Sequence, residues 1–193
     1  MEILAAGLYG LDLMLLISFQ FLNRDEGIFT HAVSNYGLGR SARWFRAYVI
    51  AGSLAAPVLA WQFWGARDPA YPPIIPLYLL LVMLGRLALG LCPNDLRGAP
   101  RTVSGTIHHA ATLLAFTCAY MTVAEATPLL AATVGEPLTG LLSALKHVIS
   151  LTFVAVVLTI TLPLRRYFGL VERIFLYATA LWFLTATLTL PPL

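Results

Sequence analysis

The stretch IIPLYLLLVMLGRLALGL (residues 74–91) runs directly into CPNDLRGAPRTVSGTIHH (residues 92–109), and the change between the two decides the fold. The first stretch is apolar apart from one arginine, and it is long enough to cross a membrane as a helix, which takes about 20 residues. The second stretch contains a carboxylate, two arginines and two adjacent histidines. We therefore predict a membrane-spanning helix, a short polar loop at the membrane surface, and a further helix that re-enters the bilayer.

The composition of the whole chain agrees with this prediction. The 193 residues are 59% hydrophobic and 11% charged, whereas soluble globular domains carry about 25% charged residues. A soluble domain of this length has too little interior to hide so much apolar surface, but a bilayer accepts apolar side chains on every face of a helix. We expect an integral membrane protein with lipids as partners and no nucleic-acid partner.

Six apolar segments predict the fold, an all-α, six-helix transmembrane bundle with short loops that forms one integral membrane domain over residues 1–193. The segments are residues 2–22, 44–64, 74–91, 105–126, 138–162 and 168–190. The N-terminus has no basic region and no small-residue cleavage site after its first apolar segment. This segment is therefore interpreted as a transmembrane helix and not as a signal peptide.

The arginines predict the orientation of the bundle. Seven of them fall in the loops that join helices 1–2, 3–4 and 5–6, whereas the opposite side holds only Arg67. The seven are Arg24, Arg40, Arg43, Arg97, Arg101, Arg165 and Arg166. By the positive-inside rule, both termini are expected outside and the three basic loops in the cytoplasm. The expected location is the inner, cytoplasmic membrane of the cell, as a multi-pass protein.

With this topology, polar residues from distant parts of the sequence collect at the predicted cytoplasmic face. They are Ser34, Arg86, Asp95, His108, His109, Glu172 and Arg173. Ionisable groups within a bilayer cost several kcal/mol, so those at depth are expected to face the bundle interior and to have partners. Such a cluster is either a functional pocket or a set of interfacial anchors, and Glu172 also suits the positive end of a helix dipole.

Three residue types at this face are those of a hydrolytic triad: Ser34, Asp95 and a histidine. Adjacent residues on a helix point about 100° apart, so His108 and His109 are not expected to face one small site together. In a lipid-directed site, His108 would act as a base or metal ligand and Asp95 would orient it. The cations expected to bind an anionic headgroup are Arg86, Arg97, Arg101 and Arg173.

A second cluster is predicted deeper in the membrane. Asp12 lies about 15 Å along helix 1, and Lys146 lies about 12 Å into helix 5 from the same side, at 1.5 Å per residue. Opposite charges at matching depth predict an intramembrane pair of Asp12 with Lys146, with His147 beside it. Such a pair neutralises two costly charges or forms part of a proton or ion path.

No cofactor is expected from the sequence. A zinc site needs three or four ligands. Asp95, Cys92 and the two histidines supply enough donors, but HExxH and paired CxxC motifs are missing. A metal at His108 and Asp95 thus has weak support. A haem between His109 and His147 is not expected, because their depths in the bundle differ strongly.

Four short motifs follow one another in the order of a known family. They are Ser-x-x-Gly (Ser34, Gly37), Pro-x-Asp (Pro93, Asp95), Gly-x-x-His (Gly105, His108) and Gly-Leu-x-Glu-Arg (Gly169, Leu170, Glu172, Arg173). This pattern resembles the six-helix bacterial and archaeal membrane proteins of domain-of-unknown-function family 998, which is distantly similar to the Frag/DRAM group. The resemblance spans the chain, although Cys92 replaces the family's usual Phe. It implies the site residues Ser34, Asp95, His108, Glu172 and Arg173, without an assigned activity.

Three hypotheses of function follow from the sequence. The first is a lipid-headgroup binding or hydrolytic site at the cytoplasmic face. The second is a non-catalytic accessory subunit of a larger membrane complex, which the small residues Ala5-Ala6-Gly7 and Ala51-Gly52-Ser53 would help to pack against partner helices. The third is a small proton-coupled transporter that uses Asp12, Lys146 and His147.

Overall fold

The computed structural model describes residues 1–22, 27–66, 71–95, 99–161 and 165–190. Within these residues the chain forms six long α-helices, each long and apolar enough to cross a membrane. They are α1 (Glu2–Leu22), α2 (Ala42–Gly65), α3 (Ile74–Leu91), α4 (Val103–Ala131), α5 (Leu138–Thr161) and α6 (Phe168–Thr189). The predicted all-α transmembrane bundle is confirmed.

The helix ends follow the predicted spans closely, with one exception at the end of α4. This helix continues to Ala131 although Pro128 lies in its last turns. The hydroxyl of Thr127 donates to the carbonyl of Val123 at 2.5 Å and accepts from the indole N–H of Trp182 at 3.1 Å. The bond from Trp182 ties the last turns of α4 to α6, and this tertiary contact supports the helix where Pro128 lacks a backbone N–H.

Neighbouring helices in the sequence are also neighbours in space. α1 packs against α2 and α6, α3 packs against α2 and α4, and α5 packs against α4 and α6. The loops after α1 and α3 meet the start of α6 at one end of the bundle, where the N–H of Val33 donates to Glu172 and Asn94 contacts Ser34. We call this the basic end, since the predicted cytoplasmic arginines flank it.

Aromatic side chains hold the loop after α1 against the basic end. Val33–Gly37 forms a short 3-10 helix, and the ring of Tyr36 stacks on Phe19 of α1 with centroids 4.8 Å apart. Phe19 also meets the edge of Tyr48 of α2 at 5.7 Å. Rings packed in this way contribute about 0.5–1.5 kcal/mol per pair beyond their burial. The loop is therefore a fixed part of the bundle, and it carries Ser34 inward.

Candidate functional site

The loop after α3 uses Asp95 to start α4. The Asp95 carboxylate accepts hydrogen bonds from the hydroxyl and the backbone N–H of Thr102, at 2.7 and 3.0 Å. Thr102 in turn caps the helix by accepting from the N–H of Gly105 at 3.0 Å. A Cβ at position 105 would overlap the Asp95 carboxylate, so the glycine allows this close approach. The bonds from Thr102 lower the pKa of Asp95 below its ordinary value.

His108 faces the bundle interior, and His109 is exposed. Nδ1 of His108 lies 2.8 Å from the carbonyl oxygen of Cys92. Because a carbonyl only accepts, Nδ1 donates in this contact, and Nε2 of the neutral ring is then a hydrogen-bond acceptor. Nε2 is buried and has no hydrogen-bond partner among the described residues. The prediction that Asp95 orients His108 is wrong, because Cys92 does so and the Asp95 carboxylate is bonded to Thr102.

A small pocket, here called the end pocket, opens beside His108 at the basic end. Its volume is about 60 Å³, counted as the space open to the centres of water molecules. Ser34 lines it, and its hydroxyl accepts from the Asn94 side chain at 3.3 Å. The lining consists of Ser34, Gly37, Phe45, Arg46, Leu89, Gly90, Leu91, Pro93, Asn94 and His108. The structure thus brings Ser34 and His108 to one pocket but leaves Asp95 out of its lining.

Glu172 and Arg173 are buried at the start of α6, where they fasten the loop after α1. The Glu172 carboxylate accepts from the N–H of Val33 at 2.7 Å. Nη1 of Arg173 donates to the carbonyls of Ile28, His31 and Gly169 at 2.9, 2.6 and 3.0 Å. Nη2 of Arg173 donates to the Tyr36 hydroxyl at 3.2 Å. Both terminal nitrogens of Arg173, which was predicted to bind an anionic headgroup, are thus bonded to the protein, and this geometry agrees with the interpretation of Glu172 and Arg173 as anchors.

The charged pair inside the bundle joins Asp12 of α1 to Arg86 of α3. Nη2 of Arg86 also donates to the backbone carbonyl of Tyr48 at 2.9 Å, and the guanidinium lies over the Tyr48 ring, 4.5 Å from its centroid. Gly52 of α2 makes room for it, because a Cβ there would overlap the guanidinium. Arg86, predicted to bind a headgroup, is therefore paired with a buried carboxylate.

The predicted pair of Asp12 with Lys146 is wrong. Lys146 lies on α5, which packs against α4 and α6, whereas Asp12 lies on α1 between α2 and α6. In the described residues Lys146 is half-buried and forms no ion pair, and His147 is exposed with Nδ1 2.7 Å from the Ser143 carbonyl. Two residues at the same depth in the membrane need not lie on neighbouring helices. Asp12 pairs instead with Arg86, whose long side chain reaches it from α3.

Asp12 and Arg86 line an internal cavity between α1, α2, α3, α4 and α6. Its volume, counted in the same way as for the end pocket, is about 60 Å³, enough for a few water molecules at about 10–15 Å³ each. Its polar lining consists of Tyr9, Asp12, Ser34, Tyr48, Arg86, Thr112, Glu172 and Thr179. Ser34, Phe45 and Leu89 line both this cavity and the end pocket, so the two spaces adjoin.

Three buried polar atoms in the cavity wall lack a hydrogen-bond partner among the described residues. They are the hydroxyls of Tyr9 and Thr179 and Nε of Arg86. A buried polar atom without a partner costs about 1–3 kcal/mol. All three belong to residues that line the cavity, and their hydrogen-bonding capacity is not used by the described residues.

The remaining predicted residues lie apart from these spaces. Arg101 is exposed at the basic end, and Arg97 falls outside the described residues. Within the described part of the chain, no group of three or more His, Cys, Asp and Glu side chains is placed to hold a metal ion.

Sequence reasoning missed several residues that line the two spaces: Tyr9, Arg46, Asn94 and Thr179. Asn94 is the middle residue of the Pro-x-Asp motif, so the motif could have identified it as a candidate site residue. Tyr9 and Thr179 look like ordinary members of apolar helices in the sequence, and only the packing of α1 against α6 shows that both line one cavity.

Comparison with known proteins gives a family without an activity. Neither curated proteins nor solved structures match the chain significantly. The family model described as "Protein of unknown function (DUF998)" matches residues 7–189. This match covers nearly the whole chain and agrees with the resemblance carried by the four motifs. The spanning helices make the chain an integral membrane protein, and it belongs to the DUF998 family.

Proposed function

We propose that this protein binds a membrane lipid through its headgroup, which enters the end pocket. One observation carries the proposal. Nε2 of His108 is a buried acceptor without a protein partner, and it adjoins a mostly apolar cavity through the shared wall of Ser34, Phe45 and Leu89. Leu91 also lines the end pocket and is 81% exposed, so the apolar part of an amphiphile whose headgroup enters the pocket meets an apolar side chain outside it.

The end pocket favours a phospholipid headgroup with a hydroxyl or amine. Nε2 of His108 accepts from either group, because Nδ1 already donates to Cys92. Arg46 lines the same pocket and is exposed, so its guanidinium is available to a phosphate, which it binds with two parallel hydrogen bonds. In this proposal Arg46 binds the headgroup phosphate, and Arg86 and Arg173 do not contact the headgroup.

The proposal is binding and not hydrolysis. In a serine hydrolase the nucleophile donates to the base, and a third group orients that base. Here the Ser34 hydroxyl pairs with Asn94, and within the described residues no hydrogen bond joins it to His108. The Asp95 carboxylate, the third member of the predicted triad, is bonded to Thr102.

The test uses the two adjacent histidines as a matched pair. Protein purified in mild detergent is analysed by native mass spectrometry for retained phospholipid. His108→Ala is expected to reduce retention about tenfold, the effect of losing about 1.4 kcal/mol, whereas His109→Ala retains lipid like the parent.

Thermal unfolding of both variants separates binding from folding. If His108→Ala unfolds too easily to be assayed, Ser34→Ala replaces it, because it removes one pocket hydroxyl and a single 3.3 Å contact. Full lipid retention in folded His108→Ala and Ser34→Ala proteins would exclude the proposal.

A second candidate, the accessory subunit, is favoured by the position of Lys146. This residue lies eight positions into α5, and only 22% of the residues in the most apolar stretch of this helix are buried within the bundle. An ammonium group at that depth needs a partner, and among the described residues Lys146 has no carboxylate partner. We infer that α5 is the face that would receive a transmembrane helix of another subunit, with a carboxylate opposite Lys146.

Carbodiimide cross-linking tests this second candidate, because the reagent joins an amine directly to a neighbouring carboxylate. The expected product links Lys146 to an Asp or Glu of a different protein, and Lys146→Gln abolishes it. A link from Lys146 to a second copy of the same chain, or no link, would contradict the accessory role.

A further inference from the structure

We infer that the end pocket selects an anionic phospholipid whose headgroup ends in hydroxyls, such as phosphoglycerol, over one whose headgroup ends in an ammonium. This inference rests on the proposed lipid binding and adds which headgroup the site prefers. It depends on three polar residues of the lining, Ser34, Asn94 and Arg46. Each of them has a hydrogen-bond donor that no described residue uses.

The contacts of Asn94 fix the direction of its side-chain amide. Oδ1 accepts from the backbone N–H of Asp95 at 2.9 Å, and Nδ2 donates to the Ser34 hydroxyl at 3.3 Å. Nδ2 carries two N–H groups, and a hydroxyl that accepts a bond keeps its own proton to donate. The acceptor of Asn94 is therefore used within the loop, whereas one donor of Asn94 and one of Ser34 are left over.

The loop after α3 brings these donors close to His108. Residues 92–94 hold His108 through the carbonyl of Cys92, 2.8 Å from Nδ1, and hold Ser34 through Asn94. A hydroxyl that enters the pocket accepts from Ser34 and still donates to His108. An ammonium has donors and no acceptor, so it leaves the donors of Ser34 and Asn94 without a partner.

The charge of the end pocket also disfavours an ammonium. The lining contains Arg46 and, among the described residues, no carboxylate. Arg46 is exposed and forms no ion pair with a described residue. Two carboxylates near the basic end are already bonded, Asp95 to Thr102 and Glu172 to the N–H of Val33. A headgroup with a net negative charge is therefore attracted to the pocket, whereas Arg46 repels an ammonium.

The size of the end pocket limits how much of the lipid enters it. Its volume of about 60 Å³ holds a few water-sized groups at about 10–15 Å³ each. The hydroxyl-bearing end of a phosphoglycerol headgroup has that size, so the phosphate stays outside beside the exposed Arg46. Leu91 also lines the pocket and is 81% exposed. The acyl chains therefore remain in the bilayer, outside the bundle.

The experiment compares three phospholipids with the same acyl chains. They are phosphatidylglycerol, phosphatidylpropanol, which has the same charge and no headgroup hydroxyl, and phosphatidylethanolamine. Purified protein in mild detergent is titrated with an equimolar mixture, and native mass spectrometry measures the bound ratios. The parent protein is expected to prefer phosphatidylglycerol over phosphatidylpropanol about fivefold, which corresponds to about 1 kcal/mol for one net hydrogen bond. It is expected to retain phosphatidylethanolamine least.

Two variants with matched controls assign the preference to the end pocket. Ser34→Ala is expected to lower the ratio of phosphatidylglycerol to phosphatidylpropanol towards one. Ser104→Ala keeps this ratio, because its hydroxyl donates to the Pro93 carbonyl and Ser104 is outside the lining. Arg46→Gln is expected to weaken both anionic lipids equally relative to phosphatidylethanolamine. Arg43→Gln, an exposed position outside the lining, leaves all ratios unchanged.

The outcomes separate the inference from the proposed function. If the parent protein retains phosphatidylglycerol and phosphatidylpropanol equally, or prefers phosphatidylethanolamine, the hydroxyl selection is overturned while lipid binding stands. If none of the three lipids is retained, both ideas fall together. A hydroxyl preference that persists in Ser34→Ala also overturns the inference, because the headgroup is then recognised elsewhere.

A last arm distinguishes the lipid from a soluble compound with the same chemistry. Glycerophosphoglycerol, the deacylated form of phosphatidylglycerol, is added in an amount equal to that of the lipid. The protein is expected to keep the lipid, since only the lipid also contacts the apolar surface around Leu91. Displacement of the lipid by this soluble compound would overturn the membrane as the source of the ligand.

Discussion

Two arginines within this bundle have opposite surroundings. Arg173 donates from both terminal nitrogens to three backbone carbonyls and one tyrosine hydroxyl, all belonging to the protein. Arg86, whose side chain is 15% exposed, pairs with Asp12 and the Tyr48 carbonyl and lines the internal cavity, and its Nε has no partner among the described residues. Nε of Arg173 also lacks a partner among the described residues, yet Arg173 is not part of either lining.

The difference shows that charge at depth in a membrane protein is not evidence of a binding site. What distinguishes the two regions is the identity of the partners. At Arg173 the partners are loop atoms, so the charge fixes the 27–37 segment and positions Ser34. At Arg86 the partners are a carboxylate and a carbonyl of neighbouring helices, so the charge joins α1, α2 and α3 beside the internal cavity.

The largest effect is expected for Arg173→Met. The substitution leaves the carbonyls of Ile28, His31 and Gly169 without their donor, and removing one member of such a buried network costs about 3–5 kcal/mol. The free energy of unfolding, measured in detergent micelles, is expected to fall by an amount near the upper end of that range. The control is Arg43→Met at an exposed position, which leaves the free energy of unfolding unchanged. Normal stability together with lost lipid would instead make Arg173 a headgroup ligand.

A smaller loss is expected when the Asp12–Arg86 pair is broken. Asp12→Asn leaves the guanidinium without its counter-charge, although the Tyr48 carbonyl and ring remain, so the cost is expected at the lower end, about 3 kcal/mol. The double variant Asp12→Asn/Arg86→Gln is expected to recover part of this loss. In a double-mutant cycle of Asp12→Asn with Lys146→Gln, the two losses of unfolding free energy are expected to be additive. A coupling energy between them would instead support the Asp12–Lys146 pair predicted from the sequence.

The sequence was sufficient for the fold because bilayer thickness sets the length of every apolar segment. It was also sufficient to place Ser34 and His108 at one end of the bundle, since both flank helix ends. It did not predict which charged residues pair with each other. Asp12 pairs with Arg86 because α1 and α3 both pack against α2, and hydropathy does not encode which helices are in contact. Tyr9 and Thr179 escaped notice for a related reason: an unmade hydrogen bond has no signature in a sequence.

Gly52→Ala is expected to have a moderate effect, because its Cβ would overlap the guanidinium of Arg86. Overpacking of this kind costs about 1–3 kcal/mol, and displacement of Arg86 would also disturb the cavity. We expect a lower unfolding temperature and reduced lipid retention in the same variant. Gly7→Ala is the matched control, since a Cβ there meets nothing within 4 Å. Equal behaviour of the two variants would show that Arg86 has room to move and is not fixed by α2.

The smallest effect is expected at Asp95, whose role is to cap α4 and not to bind a ligand. Its pKa is lowered by the bonds from Thr102, so the ionised carboxylate stabilises the folded protein at a pH above the ordinary pKa of an aspartate, and this contribution is lost as the pH falls through the lowered pKa of the folded state. Asp95→Asn is expected to lower the unfolding temperature slightly at pH 7, and the difference shrinks as the solution is acidified through that range. The other carboxylates titrate in both proteins, so their contributions to the pH dependence cancel when the two unfolding temperatures are compared. Unchanged lipid retention in Asp95→Asn would confirm that Asp95 acts on the helix, whereas a loss of lipid without a change in unfolding temperature would return it to the site beside His108.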